Sequence, residues 1–153
     1  VELGPLSEEV LTDLAPLAEN KGIALNCAGD ALVIGSDTLL YRLVFNLGEN
    51  AIRYSHPGST VNVSICDNDS HVFLRVEDQG PGIPKQYRES IFQPFFRLDK
   101  SRSRAYGGAG LGLALVWEIA ALHGGTVEVE TSSENGTTML ASLPKRSVAL
   151  TEQ

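Results

Sequence analysis

The sequence predicts a two-layer α+β sandwich, in which three helices cover a mixed, mostly antiparallel sheet of about five strands. Three segments have the apolar spacing of amphipathic helices. Most segments in which apolar and polar residues alternate come in pairs joined by a short turn, as in β-hairpins. Because the strands lie largely outside βαβ units, a doubly wound nucleotide-binding fold is disfavoured.

The composition is that of one globular domain. The chain has 153 residues, of which 42% are hydrophobic, and a formal net charge of -7. This length can bury a core without disulfides or metal ions, and the acidic balance argues against a general nucleic-acid binder. No apolar run approaches the ~20 residues of a membrane-spanning helix, and no signal peptide opens the sequence. Cys27 and Cys66 lack metal-ligand spacing, so we expect reduced thiols in a cytoplasmic protein.

The N-terminal part is predicted to contain two helices and two short strands. Ser7 is the expected N-cap of the first helix, and Pro16 is expected to kink or end it. Strands are predicted at 23–27 and 31–34, meeting at a Gly-Asp turn. Asp37 is the expected N-cap of a long second helix, which a Pro-Gly pair ends.

The C-terminal part is predicted to contain two hairpins and a third helix. Alternation at 61–65 and 72–76 predicts a hairpin with one buried face. A helix is predicted at 111–122, followed by a hairpin of strands 126–131 and 137–143 that an Asn-Gly turn connects.

The long second helix carries an unusual polar column. At 3.6 residues per turn, Asn46, Asn50 and Arg53 share one face. The adjacent apolar face consists of Leu40, Val44, Leu47 and Ala51. Asparagines are poor helix formers, so such a pair requires a reason. It is either a hydrogen-bonded surface or a site for a hydrated cation and phosphate.

A first glycine-rich turn, Asp-Gln-Gly-Pro-Gly-Ile-Pro, follows directly on a predicted strand. Its carboxylate, Asp78, could accept a hydrogen bond from an exocyclic amine such as that of adenine. Gly80 and Gly82 would let the backbone approach a flat ring closely. The alternative is a simple turn without a ligand.

A second glycine-rich loop, 107–113, precedes the predicted third helix. Free N–H groups at a helix N-terminus form an anion site suited to phosphates, whereas the alternative is a flexible hinge. The P-loop pattern is absent from the sequence, which excludes a P-loop mechanism. Between the two glycine boxes, the segment 91–97 contains three phenylalanines that either pack under a lid or form a docking patch.

Taken in order, four elements resemble the asparagine, first glycine, phenylalanine and second glycine boxes of sensor histidine kinases. They are the asparagine helix, D-x-G-x-G-I, F-x-P-F-F-R and G-x-G-L-G-L. The chain is similar to the catalytic, ATP-binding domain of that family, which has the Bergerat or GHKL fold with a flexible ATP lid. The resemblance implies a catalytic domain at 1–144 and a flexible tail at 145–153. It also implies ATP and Mg²⁺ as ligands.

The resemblance assigns roles to individual residues. Asn50 would bind Mg²⁺ with help from Asn46, Arg53 would meet the phosphates, and Tyr54 would lie against adenine. Asp78 would read the adenine amino group, and the catalytic roles fall to Asn46 and Arg97. Arg97 also begins a lid over the γ-phosphate, which contains the further basic residues Lys100, Arg102 and Arg104. The other implied nucleotide-binding positions are Gly80, Gly82, Ile83, Gly108, Gly110, Leu111, Gly112, Leu113 and, as a weaker match, Thr137.

Gly48 departs from the family pattern, since a bulkier apolar residue is usual there. Glycine costs about 1 kcal/mol of helix propensity and could loosen the packing without touching the ligand positions.

None of the three histidines, His56, His71 and His123, fits a phosphoacceptor, and each is predicted to be structural. The resemblance therefore implies a partner, namely a separate dimerisation and histidine phosphotransfer domain of a homodimeric, membrane-anchored parent kinase. A response regulator would be an indirect partner. The isolated chain is expected to be monomeric and not to phosphorylate itself.

Three alternatives share the fold. They are an anti-sigma-type serine kinase, an ATPase of the topoisomerase or mismatch-repair kind, and a nucleotide-binding regulatory module without transfer activity. The ATPases place a water-activating glutamate where this chain has Asn46, which disfavours hydrolysis. The arginine-tyrosine pair at 53–54 and the phenylalanine segment match histidine kinases better than serine kinases.

Overall fold

The computed structural model describes residues 1–96 and 112–145. Its helices are α1 (Leu3–Lys21), α2 (Asp37–Tyr54) and α3 (Gly112–Leu122), with short 3₁₀ turns at Lys85–Tyr87 and Ser90–Phe92. Its strands are β1 (Ala24–Gly29), β2 (Thr60–Asp67), β3 (His71–Asp78), β4 (Thr126–Ser133) and β5 (Gly136–Pro144).

The five strands form one sheet in the order β1-β2-β3-β5-β4. β1 runs parallel to β2, and every other pair is antiparallel. The parallel pair exists because α2 connects β1 to β2 as a crossover, the one helical crossover between directly paired strands in the described residues. Alternate residues of β2 and β3, such as Val63 and Leu74, are buried beneath the helices. The predicted α+β sandwich with a mixed, mostly antiparallel sheet is confirmed.

The first helix begins five residues earlier than predicted. Glu2 is its N-cap, and Ser7 lies fully buried inside the helix, so the predicted N-cap was wrong. The backbone N–H of Gly4 donates to Asp30 Oδ1 at 2.7 Å, so a side chain distant in sequence satisfies the first turn. The helix continues through Pro16 to Lys21, with Pro16 on its exposed face.

The predicted hairpin between 23–27 and 31–34 does not form. β1 pairs with β2 instead, and Gly29 leaves the strand at a φ of 90°. The next residues pair with the start of the chain, since Val33 donates its N–H to Val1 O at 2.9 Å and Glu2 and Leu32 form an isolated bridge. A local turn signal could not reveal either of these distant partners.

The second helix has the two faces that its periodicity predicts. Its apolar face is buried, with Leu40, Val44, Leu47 and Ala51 each at most 3% exposed. Its N-cap is Ser36, whose Oγ accepts from Leu39 N at 3.2 Å, and not Asp37. A Cβ on Gly48 would lie 2.8 Å from Leu14 Cδ1, so Leu14 of α1 fills the space that a bulkier residue would take.

The two predicted hairpins, β2–β3 and β4–β5, are confirmed. After the second one, Lys145 donates its N–H to Ser70 O at 2.9 Å, and its Nζ lies 2.7 Å from Asp67 Oδ2. The rest of the predicted tail, 146–153, lies outside the described residues. Both cysteines are free.

His123 connects the end of α3 to the start of α2. Its Nε2 accepts from the N–H of Ser36 at 3.2 Å, so Nδ1 carries the proton and donates to Ile119 O at 2.8 Å. This arrangement holds together the two helices that carry the asparagines and the second glycine box.

Candidate functional site

The polar column of α2 faces away from the core. Asn46, Asn50 and Arg53 are each half-buried. Arg53 Nη2 lies 3.4 Å from Glu49 Oε2 on the same helix. Within residues 1–96 and 112–145, neither asparagine side chain takes part in a hydrogen bond. The two carboxamides are therefore available to a ligand rather than used to hold the fold together.

The N-terminus of α3 lies opposite this column. A Cβ built on Gly112 would be 3.6 Å from Asn46 Oδ1, so the second glycine box ends beside the asparagine helix. Gly112 itself is exposed, while Leu113 packs at the edge of the core. Because the first N–H groups of a helix lack intrahelical acceptors, this region can bind an anion next to the asparagines.

The carboxylate of Asp78, at the end of β3, is buried and held by two backbone donors. Asp78 is 6% exposed, and its Oδ1 accepts from Gly80 N at 3.0 Å and from Thr137 N at 3.2 Å. Burial raises the pKa of the Asp78 carboxyl, and the two N–H donors oppose that rise. None of the described residues donates to Oδ2, so this oxygen can accept from a ligand.

Gly80 and Gly82 are required by the backbone around this carboxylate. A Cβ on Gly80 would lie 2.2 Å from Tyr54 O at the end of α2. Gly82 has a φ of 85°, and its Cβ would lie 2.2 Å from Ser133 O. Close packing of backbone on backbone thus explains both glycines, whereas space for a flat ring stays a prediction.

A chain of hydrogen bonds joins the first glycine box to the last hairpin. Ile83 donates its N–H to Ser132 Oγ at 2.8 Å, and Ser132 Oγ lies 2.8 Å from Thr137 Oγ1. Thr137 is buried, and Ile83 is half-buried against the core. Thr137, a weak match by sequence, therefore contributes both its N–H and its hydroxyl to the framework around Asp78.

Two residues that sequence reasoning missed hold the end of α2 in place. The Nζ of Lys21 donates to Ile52 O at 3.1 Å and also to Arg53 O. Burial lowers the pKa of the Lys21 ammonium group. Ser55 is 2% exposed, and its Oγ accepts from Gln79 N at 3.2 Å. A basic residue in the last turn of α1 was visible in the sequence, but its contact with α2 was not.

Tyr54 ends α2 next to the Asp78 turn. Its side chain is 39% exposed, and its backbone oxygen lies against the turn, 2.2 Å from a Cβ built on Gly80. This position agrees with the predicted packing against adenine, which stays a prediction.

The phenylalanine segment divides between packing and exposure. Phe92 is buried and its ring centroid is 5.5 Å from that of Trp117, while Phe96 packs 5.7 Å from Tyr87. Phe95 has a φ of 65° and is 68% exposed. Core packing therefore accounts for two of the three phenylalanines.

Several predicted site residues lie outside the described residues. They are Arg97, Gly108, Gly110 and Leu111, together with the basic residues Lys100, Arg102 and Arg104. In the part of the chain that the structure describes, no three His, Cys, Asp or Glu side chains are grouped to hold a metal ion. None of the described helices is both long and apolar enough to span a membrane.

Comparison with known proteins identifies the family. Residues 35–147 match the family described as "Histidine kinase-, DNA gyrase B-, and HSP90-like ATPase". The sensor-like histidine kinase SenX3 of Mycobacterium tuberculosis (strain ATCC 25618 / H37Rv) is 38% identical over 146 residues, which are 94% of this chain and 36% of SenX3. The chain thus spans about a third of the length of this relative.

Solved structures give the same result. The mycobacterial sensor histidine kinase MprB has a TM-score of 0.80 and 31% identity, covering 97% of both chains. Full-length ShkA in complex with AMPPNP has a TM-score of 0.84 and 27% identity, covering 97% of this chain and 31% of ShkA. These matches confirm the family that the four boxes predict. The chain belongs to the family of histidine kinase-, DNA gyrase B- and HSP90-like ATPases, and it is homologous to the catalytic ATP-binding domains of sensor histidine kinases.

Proposed function

We propose that this domain binds Mg-ATP and transfers the γ-phosphoryl group to a histidine on a separate dimerisation and phosphoacceptor domain, in two-component signal transduction. The observation that carries the proposal is the placement of two kinds of group around α2. The buried Asp78 carboxylate lies beyond the C-terminal end of α2. The two asparagines, which bond to no residue that the structure describes, lie along its side next to the start of α3. A nucleotide has a base and a phosphate chain. The Asp78 region suits the base, and the asparagine region suits the phosphates.

The Asp78 region suits adenine. Its Oδ1 is already occupied by two N–H donors, so Oδ2 is the oxygen that would accept from the exocyclic amine. Tyr54, whose backbone contacts the same turn, would supply an aromatic surface for the base. The AMPPNP complex of ShkA shows that a homologue binds an adenine nucleotide analogue, which supports ATP as the ligand here.

The asparagine column suits a magnesium ion with phosphates. Carboxamide oxygens are hard, neutral ligands, and Mg²⁺ takes few protein ligands because it keeps several waters. Asn50 would hold the ion with Asn46 beside it, and Arg53 would meet the phosphates on the same face. When bound, Mg²⁺ neutralises charge on the phosphates during phosphoryl transfer.

Asn46 favours transfer over hydrolysis. An ATPase of this fold needs a carboxylate that activates water one helical turn before the metal asparagine, and an asparagine side chain cannot accept that proton. The catalytic residues are Asn46 and Arg97, of which Arg97 lies outside the described residues. The remaining loop positions, Gly108, Gly110 and Leu111, complete the proposed phosphate site with Gly112 and Leu113.

The partners follow from the same proposal. The phosphoacceptor belongs to a dimerisation domain in a longer, homodimeric, membrane-anchored kinase whose cytoplasmic part contains this domain at 1–144. The response regulator acts downstream of that histidine.

The test is phosphotransfer in trans. The purified chain is incubated with γ-labelled ATP and Mg²⁺, alone and with the dimerisation domain of the cognate kinase. We expect acid-labile label on the partner histidine and none on this chain. Label retained on the chain alone would overturn the proposal that the phosphoacceptor histidine lies on a separate domain.

Two further results would select an alternative. Tight ATP binding without label on the true partner would indicate a regulatory module. Fast steady-state hydrolysis without any partner would indicate an ATPase.

A further inference from the structure

The outer edge of the sheet next to α1 forms a groove that the proposed function does not use. The groove has a volume of about 520 Å³ and lies between α1 and β1. Its lining includes Glu8, Thr12, Ala15 and Glu19 of α1 together with Leu25 and Cys27 of β1. Its location at the first strand of the sheet order separates it from the asparagine column and from Asp78.

Among the described residues, β1 is an edge strand, and some of its backbone groups have no hydrogen-bond partner there. In the part of the chain that the structure describes, β2 is its one strand neighbour. Ala24 donates its N–H to Ser59 O at 3.0 Å, on the β2 side. Since alternate residues of a parallel strand direct their backbone groups to opposite sides, Leu25 and Cys27 direct theirs to the open edge.

The same two residues supply side chains to the groove. Leu25 and Cys27 are half-buried, whereas their neighbours Ala24, Asn26 and Ala28 are exposed. A strand added to this edge would therefore bond to the backbone of Leu25 and Cys27 and place every second side chain in the groove under α1.

The rim of the groove is acidic. Glu8, Thr12, Ala15 and Glu19 form one stripe along α1, with the two glutamates at its ends and a small residue near its centre. At about 1.5 Å per residue, the glutamates are separated by roughly 16 Å along the helix. Two residues four positions apart in an extended chain are about 13 Å apart, and long basic side chains can span the difference. The negative charges of Glu8 and Asp30 add to burial in raising the pKa of the Cys27 thiol. Negative potential thus extends into the groove.

We propose that this groove is a docking site for an extended segment of a partner protein, which joins the sheet as a sixth strand next to β1. The segment has an apolar side chain facing the groove, with a lysine or arginine two residues away on each side to meet Glu19 and Glu8. Its backbone hydrogen bonds give affinity, and the alternate side chains give specificity.

Charge argues against a second copy of this chain as the occupant. The segment 24–29 contains no basic residue. Pairing two β1 edges would also bring the glutamates of two α1 helices together without a counter-charge, which is unfavourable. Binding in this groove does not require the proposed kinase activity.

The test is an NMR titration of the whole chain with two short peptides. The first is acetyl-Ser-Lys-Thr-Val-Thr-Lys-Ser-amide, and the second has glutamate in place of both lysines. We expect the lysine peptide to shift the amide signals of Leu25 and Cys27 in a saturable and salt-sensitive manner. The glutamate peptide should leave them unchanged.

Two sets of variants locate the site. The double variant Glu8→Lys, Glu19→Lys should weaken binding of the lysine peptide about tenfold or more and allow the glutamate peptide to bind. The matched control Glu128→Lys, Glu134→Lys makes the same charge change on exposed residues of the opposite hairpin and should bind as the unaltered chain does.

Leu25→Pro removes a backbone donor that faces the open edge, so it should abolish binding, while Leu25→Ala should only weaken it. Should Leu25→Pro fail to fold, protection of the Leu25 and Cys27 amides from hydrogen exchange by the lysine peptide gives the same information.

The proposal is overturned by unchanged Leu25 and Cys27 signals at millimolar peptide, or by equal binding of both peptides. Dimerisation of the chain through β1 would also overturn it, because the occupant would then be a second copy.

Discussion

The two ends of the candidate nucleotide site are built differently. Around Asp78, the protein supplies its own partners, because two backbone N–H groups hold Oδ1 and the hydroxyls of Ser132 and Thr137 complete the network. Along α2, Asn46 and Asn50 have no hydrogen bonds to described residues. The base end is thus pre-organised by the fold, whereas the phosphate end is left to be completed by its ligand.

This difference separates stability from function. A change near Asp78 that moves the backbone or leaves a buried polar group without a partner should alter the fold as well as binding, since such groups are costly to leave without partners. A change at the asparagines should alter function alone. Four substitutions test this distinction.

Asn50→Ala should have the largest effect, and on function only. Loss of a group that stabilises charge in phosphoryl transfer costs about 10²–10³-fold in rate. Thermal stability should stay within about 0.5 kcal/mol of the unaltered chain, because the side chain does not bond to the rest of the described structure. The measurements are the rate of phosphotransfer in trans and the unfolding midpoint. Asn20→Ala, at an exposed position of α1, is the matched control, and a large loss of stability in Asn50→Ala would contradict the comparison.

Gly80→Ala should damage the pre-organised end. Its Cβ would be 2.2 Å from the backbone oxygen of Tyr54, so the backbone must move, at a cost of about 1–3 kcal/mol. Urea unfolding with an unchanged m-value measures that cost. Gly48→Ala is the control, because its Cβ would meet the flexible end of Leu14 at 2.8 Å and alanine gains about 1 kcal/mol of helix propensity. Equal destabilisation by both variants would show that backbone contact is not the cause.

Asp78→Asn should separate base recognition from stability. The amide can keep its oxygen on the Gly80 and Thr137 donors, but its NH₂ would then face the amine of adenine. Selectivity for ATP over GTP analogues should fall about tenfold, the loss of roughly one good hydrogen bond. Stability at neutral pH should not fall, because burial of the Asp78 charge is what raises its pKa. Unchanged selectivity would contradict the proposed base-reading role.

The pH dependence of stability gives a second readout for Asp78. Its pKa is raised in the folded state, so the protonated carboxyl favours folding. This contribution to the free energy of unfolding is fully present below the ordinary pKa of an aspartate and is lost as pH rises through the raised value. The Asp78→Asn variant should lack this loss between those two pKa values. Unfolding free energies measured at pH values from about 4 upwards would show the difference between the two profiles.

Lys21→Met should have the smallest effect. It removes the ammonium group that binds the C-terminal carbonyls of α2, which is worth about 1 kcal/mol. Nucleotide affinity should fall by a few-fold, because the end of α2 that would shift is next to Tyr54. The dependence of binding on metal should not change. Calorimetric titration with an ATP analogue checks this, and Lys21→Arg should restore most of the affinity. Failure of arginine to restore it, with normal folding, would argue against the positioning role.

Local patterns were reliable where one element decides its own conformation. The two faces of α2 follow from 3.6-residue spacing, and the β2–β3 and β4–β5 hairpins follow from alternation next to short turns. The N-cap of α1 and the 31–34 strand were predicted wrongly, because Asp30 and the first residues of the chain intervene from a distance. In both places a tertiary partner outweighed the local signal.

The sequence by itself determined the family, the polar column of α2 and the acidic residue at the end of β3. Each depends on residue types at short spacing, and such local patterns can be recognised in a sequence before its fold is known. Only the tertiary structure decided which of these groups are already bonded. Thr137 N reaches Asp78, Lys21 reaches the end of α2, and Asn50 has no described hydrogen-bond partner, since hydrogen bonds between distant segments depend on packing rather than on sequence distance.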